Sequence, residues 1–366
     1  VLAEQHYATL TKLFADFPVK ISLLTGATTA AARKHIKADL ASGATDIVIG
    51  THALIQKDVD FANLGLVIID EQHRFGVNQR KILQEKGLKP DLLAMTATPI
   101  PRTLAITAYG EMDVSTIDEL PAGRQPITTS WVHKNQLREA LATISTELAA
   151  GHQVFAITPL IAESEKVDLQ NAEQLYEDLN KAFGDKYQVA LLHGQMKNDE
   201  KDDIMRRFSQ NEIQVLVSTT VVEVGVDVPN ATVMMIFDPD RFGLAKLHQL
   251  RGRVGRGRSA AYCILVADPK NDAGVERMKV MTETTDGFKI AEKDLELRGS
   301  GDIFGEAQSG LPEFKIADPV ADYATLNAAQ QTAVGLFKAD PTLSAPEFAP
   351  LRAYLAQRQQ AVGSLD

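Results

Sequence analysis

Two adjacent carboxylates, Asp70 and Glu71, are the residues whose types and position most directly suggest chemistry. They follow the apolar run Leu66–Ile69, and an uninterrupted run of this kind is typical of a strand buried on both faces of a parallel sheet. Such sheets bind ligands at the carboxyl ends of their strands. There Asp70 would hold a Mg²⁺ ion on the β- and γ-phosphates of a nucleotide, and Glu71 would activate the attacking water. A strand capped by solvated acids before a turn is a common alternative, which this segment alone leaves open.

An arginine-rich segment supplies a second candidate group. Residues 249–257 read Gln-Leu-Arg-Gly-Arg-Val-Gly-Arg-Gly. Arginines three positions apart share one face of a helix, so we expect Arg253 and Arg256 to point at one phosphate group. An arginine placed in this way accelerates phosphoryl transfer by about 10³–10⁵. The alternative is a solvated basic helix, but the glycines disfavour a surface helix, so we favour the functional interpretation.

A third candidate segment, residues 218–229, combines hydroxyl side chains at a strand end with a loop. Thr219 lies at the strand end, and Gly225 and Asp227 lie in the loop. These residues suit contacts to a phosphodiester backbone and a sugar hydroxyl. Taken alone, the segment is better interpreted as an ordinary strand–turn–strand connection.

The elements that must position these groups alternate between strands and helices. In the first part we predict strands at 19–24, 46–50, 66–69 and 91–95. After a linker at 121–126, we predict strands at 153–158, 188–193, 214–218, 232–237 and 260–266, with helices between them. Strands and helices at this spacing indicate βαβ units and two parallel-sheet α/β domains. From residue 268 the sequence is more helical, with an amphipathic helix predicted at 288–297.

Composition and charge set broad limits on the class of protein. The 366 residues suffice for two or three domains. The net charge of −10 argues weakly against nucleic-acid binding, but residues 241–258 contain five arginines, one lysine and one histidine. The single cysteine, Cys263, cannot form an intrachain disulfide, and no apolar run has the length of a membrane span. These features predict a soluble intracellular protein.

The order and spacing of the motifs resemble those of superfamily-2 helicases. The matching segments are 70–73 (motif II), 96–98 (motif III), 218–229 (motif V), 249–256 (motif VI), 51–52 (motif Ib) and 1–6 (the end of motif Ia). More narrowly, segments 70–77, 96–103, 193–196 and 294–302 resemble the RecG family of bacterial branched-DNA translocases. Transcription-repair coupling factors share many of these motifs, but residues 117–124, Ile-Asp-Glu-Leu-Pro-Ala-Gly-Arg, match the RecG family better.

The resemblance implies a fold and a reaction. The fold would be two RecA-like α/β domains at 1–124 (truncated) and 125–268, followed by a mostly helical extension at 269–366. ATP would bind between the domains with Mg²⁺ on Asp70, and Glu71, Arg253 and Arg256 would act in catalysis. The remaining nucleotide-binding residues would be Gln249, Gly225 and Asp227.

The resemblance also implies partners and a cellular role. The residues that would contact DNA or couple hydrolysis to movement are Thr51, His52, Thr96, Thr98, Thr219, Arg298 and Gln308. The protein would be a cytoplasmic, nucleoid-associated monomer that remodels stalled forks and Holliday junctions by branch migration, in recombination and repair.

Three departures from the family pattern qualify this interpretation. The sequence contains no G-x-x-x-x-G-K-[ST] segment, so the phosphate loop is missing. It also has no counterpart of the family's wedge domain, and Ala307 stands where the family usually has arginine. We therefore interpret the chain as a fragment that is inactive alone. The alternatives are a transcription-repair coupling translocase and a module that binds DNA or a partner without ATPase activity.

Overall fold

The computed structural model describes residues 2–72, 75–98, 113–119, 124–159, 165–219, 228–298 and 322–362. The chain forms two compact units. The first unit comprises residues 1–99 and 120–290, and the second comprises residues 100–119 and 291–366. The domain bounds expected from the sequence, 1–124, 125–268 and 269–366, remain a prediction.

The first part of the first unit consists of short strands alternating with helices. Their bounds are α1 Leu2–Leu13, β1 Ile21–Leu24, α2 Ala30–Ser42, β2 Ile47–Gly50, β3 Leu66–Ile69, α3 Val77–Glu85 and β4 Asp91–Ala94. Strand β1 pairs with β2, and β3 pairs with β4, both in parallel. Helix α2 is defined at both ends, since Thr29 accepts from the Ala32 amide and Gly43 follows the helix in the left-handed conformation at φ 78°.

Strand β3 has the predicted bounds, but it is not buried on both faces. Val67 and Ile69 are 7% and 3% exposed, whereas Leu66 and Ile68 are 55% and 56% exposed. Val67 and Ile69 pack with Leu83 of α3, so the strand buries one face only. The prediction of a doubly buried strand was wrong for the described residues, because an apolar run fixes the residue types and not which neighbours cover each face.

The second part of the first unit is built on a sheet of six described parallel strands in the order β5-β10-β9-β6-β8-β7. The strands are β5 Ile127–Val132, β6 Gln153–Ile157, β7 Val189–Leu192, β8 Val215–Ser218, β9 Ala231–Phe237 and β10 Ala261–Val266. The helices of this part are α4 Arg138–Ala149, α5 Glu165–Phe183, α6 Asn198–Ser209, α7 Leu244–Arg251 and α8 Asp272–Glu283. Strands β6 and β8 are buried along their whole length, as expected for the centre of a parallel sheet.

Strand β5 was not predicted from the sequence. It reads Ile-Thr-Thr-Ser-Trp-Val, and among the described strands it pairs with β10 alone, at the edge of the sheet. Its three central hydroxyl residues interrupt the apolar pattern of a buried strand. The β-branched and aromatic residues of this segment, Ile127, Thr128, Thr129, Trp131 and Val132, were the available sequence signal.

The carboxy-terminal part is mostly helical, as predicted. Helix α9 spans Gly287–Arg298, α10 spans Tyr323–Ala339 and α11 spans Ala349–Val362. In the turn after α10, the Asp340 carboxylate accepts hydrogen bonds from the Ala345 amide and the Ser344 hydroxyl, and these bonds, led by the backbone one, lower the pKa of Asp340 to about 2. None of the described helices is long and apolar enough to cross a membrane.

Candidate nucleotide and nucleic-acid site

Asp70 and Glu71 lie immediately after β3, as the sequence predicted. Asp70 Oδ1 accepts a hydrogen bond from the Glu71 amide at 2.8 Å, and Asp70 Oδ2 lies 2.8 Å from His6 Nε2 on α1. Glu71 has a φ of 50°, a region that residues with a side chain rarely occupy and that costs about 1–3 kcal/mol. Strain of this kind concentrates at functional sites, and here it falls on the residue predicted to activate water.

The residue after the carboxylates ties β3 to β4. The Gln72 amide donates to the Met95 carbonyl at 3.0 Å, and the Met95 amide donates to the Ile69 carbonyl at 2.8 Å. These bonds extend the pairing of the two strands past their ends. They place Asp70 and Thr96 at the same edge of the sheet, as parallel pairing requires.

A direct contact joins the first and second parts of the first unit. Gln249 Nε2 on α7 donates to Thr98 Oγ1 at 2.5 Å, and the Thr98 amide donates to Thr96 Oγ1 at 3.1 Å. The sequence predicted Gln249 as a nucleotide-binding residue and the two threonines as coupling residues. The structure brings these residues into one hydrogen-bonded chain between the two α/β parts.

The predicted arrangement of Arg253 and Arg256 on one helix face was wrong. Helix α7 ends at Arg251, and Gly252 follows as its cap. Arg253 and Arg256 belong to the non-helical segment beyond it, where Gly255 has a φ of 70°. Glycine has low helix propensity, and the positive φ of Gly255 prevents the helix from resuming between the two arginines.

Arg251 belongs to the same motif, but its side chain is buried in the protein interior. It is 2% exposed, and its Nη1 donates to the carbonyls of Met281 at 2.8 Å and Thr284 at 2.9 Å. Its Nη2 lies 3.1 Å from Nδ1 of His248. Burial, followed by the nearby Arg251 charge, lowers the pKa of His248 to about 4. Arg251 therefore anchors the end of α7 to the end of α8 and is not part of an exposed basic surface.

Three side chains have buried polar atoms at the carboxyl edge of the six-stranded sheet. Thr158, Thr219 and His193 each follow directly after one of the neighbouring strands β6, β8 and β7. Thr158 and Thr219 are 4% and 1% exposed. Their Oγ1 atoms and His193 Nδ1 are buried without a hydrogen-bond partner among the described residues. An unsatisfied buried polar atom costs about 1–3 kcal/mol, so these three atoms are candidates for contact with a polar ligand.

The predicted DNA contacts Thr51 and His52 lie directly after β2 and are exposed. The His52 ring stacks on Phe75, with centroids 4.7 Å apart and planes 12° apart. The stacking joins this segment to the residues that follow Asp70 and Glu71.

Other predicted site residues cannot be placed. Four positions lie outside the described residues, namely Gly225, Asp227, Gln308 and Ala307, the last being where the family usually has arginine. Arg298 is the last residue of α9, and its side chain is also outside what the structure describes. Their expected roles remain predictions.

The described residues fit one side of a magnesium–nucleotide complex. The Asp70 side chain is 32% exposed and presents carboxylate oxygens at the end of a parallel strand, and such oxygens are the ligands that Mg²⁺ prefers. The sequence contains no G-x-x-x-x-G-K-[ST] segment, so this fit concerns the carboxylate that would hold the ion and not the phosphate cradle.

Family models match three successive parts of the chain. Residues 1–106 match the DEAD/DEAH box helicase model, and residues 134–258 match the helicase conserved C-terminal domain. Residues 284–362 match the C-terminal part of domain 3 of the ATP-dependent DNA helicase RecG. The first two matches agree with the predicted RecA-like α/β fold.

Relatives with the same name match nearly the whole chain. The ATP-dependent DNA helicase RecG of Bacillus subtilis is 57% identical over 352 residues, covering 96% of this chain and 52% of that protein. The chain belongs to the RecG family. The RecG protein of Streptococcus pneumoniae is 55% identical over 359 residues, covering 98% of this chain and 53% of that protein. The chain spans about half the length of these curated relatives.

A solved structure of the RecG family has the same fold. The structure of RecG bound to a three-way DNA junction is 47% identical, with a TM-score of 0.70, and the match covers 89% of this chain and 42% of that one. A structure of Mss116p bound to single-stranded RNA and AMP-PNP is 17% identical, with a TM-score of 0.57, and this likeness shows the fold alone.

Three residues of this RecG-family chain stand out in the structure although sequence reasoning gave them no role. His6 contacts Asp70, and Thr158 and His193 share the carboxyl edge with Thr219. Position was the available signal for Thr158 and His193, since both follow apolar runs as Thr219 does. His6 lies in the segment that resembles the end of motif Ia, but the residue types do not indicate its contact with Asp70, which is 64 positions away.

Proposed function

We propose that this chain is the motor portion of an ATP-dependent DNA helicase that translocates on double-stranded DNA and remodels branched DNA. The observation that carries the proposal is the carboxyl edge of the six-stranded sheet. There Thr158, His193 and Thr219 bury polar atoms that have no partner among the described residues. Their donors suit phosphate oxygens, which receive most of the hydrogen bonds that proteins make to nucleic acid. The RecG family membership supports DNA as that ligand.

The nucleotide side of the proposal depends on the ends of β3 and α7. Bound ATP with its Mg²⁺ ion would supply the phosphoryl group that is transferred to water. Asp70 would hold the ion, Glu71 would orient the water, and Arg253 and Arg256 would stabilise charge at the γ-phosphate. The Gln249–Thr98 bond supports a link between the two α/β parts during this cycle.

Binding of a three-way DNA junction and of a linear duplex by this chain, measured by fluorescence anisotropy at several salt concentrations, tests the DNA side. We expect binding that weakens steeply with salt, because phosphate contacts release counterions. Thr219→Val should weaken both complexes, whereas Thr146→Val, on the exposed face of α4, should not. Equal affinity of all three proteins would contradict the proposed DNA-contacting edge.

Hydrolysis tests the nucleotide side. Since the sequence lacks a G-x-x-x-x-G-K-[ST] segment, the chain by itself should hydrolyse ATP negligibly. In a full-length protein that joins this sequence to a phosphate loop, Glu71→Gln should abolish turnover while ATP still binds. In the same protein, Arg256→Ala should lower turnover by about 10³ or more. Normal ATPase rates in both variants would show that the site is assigned to the wrong residues.

A second candidate is a module that binds DNA without ATPase activity. A full-length protein that binds junctions but shows no DNA-stimulated ATP turnover would favour this candidate.

We further propose that the protein acts as a monomer in the bacterial cytoplasm, in association with the nucleoid. Sedimentation of the protein with and without DNA tests the oligomeric state.

A further inference from the structure

Arg124 connects the start of the second α/β part to the segment that holds the predicted catalytic arginines. Its Nε donates to the Gly255 carbonyl at 3.1 Å, and its Nη2 lies 3.4 Å from the Gly252 carbonyl. We call residues 252–256 the arginine turn. The two carbonyls lie near the two ends of this turn, with Arg253 between them. One planar guanidinium therefore spans a turn that lies 131 positions away in the sequence.

Arg124 shares one acceptor with a predicted catalytic residue. Arg256 Nε also donates to the Gly252 carbonyl, at 3.3 Å. A carbonyl oxygen has two lone pairs and can accept both bonds, but two guanidinium groups on one oxygen repel each other.

The arginine turn also packs closely against β5. Gly255 has a φ of 70°, and a Cβ atom built on it would lie 3.0 Å from Ile127 Cγ1. Ile127 is the first residue of the strand that follows Arg124. On the helix side, Arg251 fixes the start of the turn through the Met281 and Thr284 carbonyls. The turn thus has one anchor in the interior and one in the segment that joins the two α/β parts.

We propose that Arg124 is a positioning residue that sets the conformation of the arginine turn and so places Arg253 and Arg256 for the γ-phosphate. The inference rests on the proposed nucleotide site. It assigns to the segment between the two α/β parts a direct influence on the arginines. The alternative is that Arg124 only supports the fold of the second part.

Hydrogen exchange in this chain tests the positioning without any nucleotide. In Arg124→Ala, amides 253–257 should exchange about tenfold faster or more, because the substitution removes the charge-assisted hydrogen bonds to the Gly255 and Gly252 carbonyls. Amides in β6 and β8 should be unchanged. The matched control is Arg138→Ala, which removes an exposed arginine from α4 and should leave the turn as in the unmodified chain. Unchanged exchange at 253–257, or an equal increase across the whole sheet, would overturn the proposal.

Steady-state ATP hydrolysis in a full-length protein that carries a phosphate loop tests the consequence for catalysis. Arg124→Ala should lower kcat about tenfold with little change in KM, because the arginines act on the transition state. Arg124→Lys should be as slow as Arg124→Ala, since an ammonium group lacks the planar fork that spans two carbonyls. Full rescue by lysine, or a change confined to KM, would overturn the proposal. If the unmodified protein does not hydrolyse ATP, the proposed function fails, and the exchange experiment still decides whether Arg124 positions the turn.

Discussion

The two edges of the six-stranded sheet differ in whether the buried polar side chains compared here have hydrogen-bond partners. At the amino edge, Gln153 is fully buried, and its Nε2 donates to the carbonyls of Phe208 at 2.6 Å and Ile213 at 2.7 Å. Nearby, Glu147 Oε2 accepts from the Thr232 hydroxyl at 2.6 Å and lies 2.7 Å from His152 Nδ1. At the carboxyl edge, the polar atoms of Thr158, Thr219 and His193 have no such partner among the described residues.

This difference separates residues that hold the fold from residues available to a ligand. A satisfied buried network gives stability, because each group keeps the hydrogen bonds that it would make in water. An unsatisfied group lowers stability until a ligand provides the missing partner. Parallel sheets bind their ligands at the carboxyl ends of the strands, so the chemistry of the two edges agrees with the topology.

The largest expected effect is at the amino edge. Gln153→Leu should lower the free energy of unfolding by about 4 kcal/mol, because it removes three hydrogen bonds, two to the carbonyls of Phe208 and Ile213 and one from the Asn230 side chain. Urea denaturation measures the change, and Gln174→Leu, on the exposed face of α5, is the control. DNA affinity per folded molecule should not change. A loss below about 1 kcal/mol would show that the network does not hold the sheet.

The next largest expected effect is a loss of stability at low pH, caused by His248 beside the arginine turn. The pKa of His248 is lowered from 6.5 to about 4, so between these values the unfolded chain binds more protons than the folded one, and stability falls as the pH falls. The expected loss is about 3 kcal/mol when the pH reaches that lower pKa.

His248→Gln isolates this contribution, because glutamine keeps an acceptor for Arg251 but does not titrate. Denaturation of both proteins at intervals between pH 7 and 4 should show a steeper decline for the unmodified chain. If the free energy of unfolding declined with pH equally in both proteins, the pKa of His248 would not be lowered in the folded state.

The smallest expected effects are at the carboxyl edge. There a substitution should not lower stability, in contrast to Gln153→Leu at the amino edge. Thr219→Val and Thr158→Val should leave the free energy of unfolding unchanged or slightly raised, since each removes an unsatisfied hydroxyl. Each should weaken duplex DNA binding about tenfold, the effect of losing one hydrogen bond to a charged phosphate. If either variant lost stability and kept its DNA affinity, the contrast between the two edges would fail.

Sequence patterns predicted most of the architecture. The runs at 153–158, 214–218 and 232–237 each contain a buried strand, because apolar residues between polar turns leave few alternatives in a parallel sheet. Strand β5 was missed because an edge strand needs less apolar surface. The prediction of a helix through Arg253 and Arg256 was wrong. It rested on the three-residue spacing of the arginines, whereas Gly252 and Gly255 interrupt the helix there.

The sequence by itself determined the residue types at the site and their place along the chain. Asp70, Glu71 and Thr219 lie at strand ends because an apolar run must stop where the chain leaves the sheet. Only the tertiary structure decided the partners, namely His6 on Asp70, Gln249 on Thr98 and Arg124 on the arginine turn. The physical reason is that hydrogen bonds act over about 3 Å, whereas these pairs are separated by 64, 151 and 131 positions, so only the packed chain can bring them together.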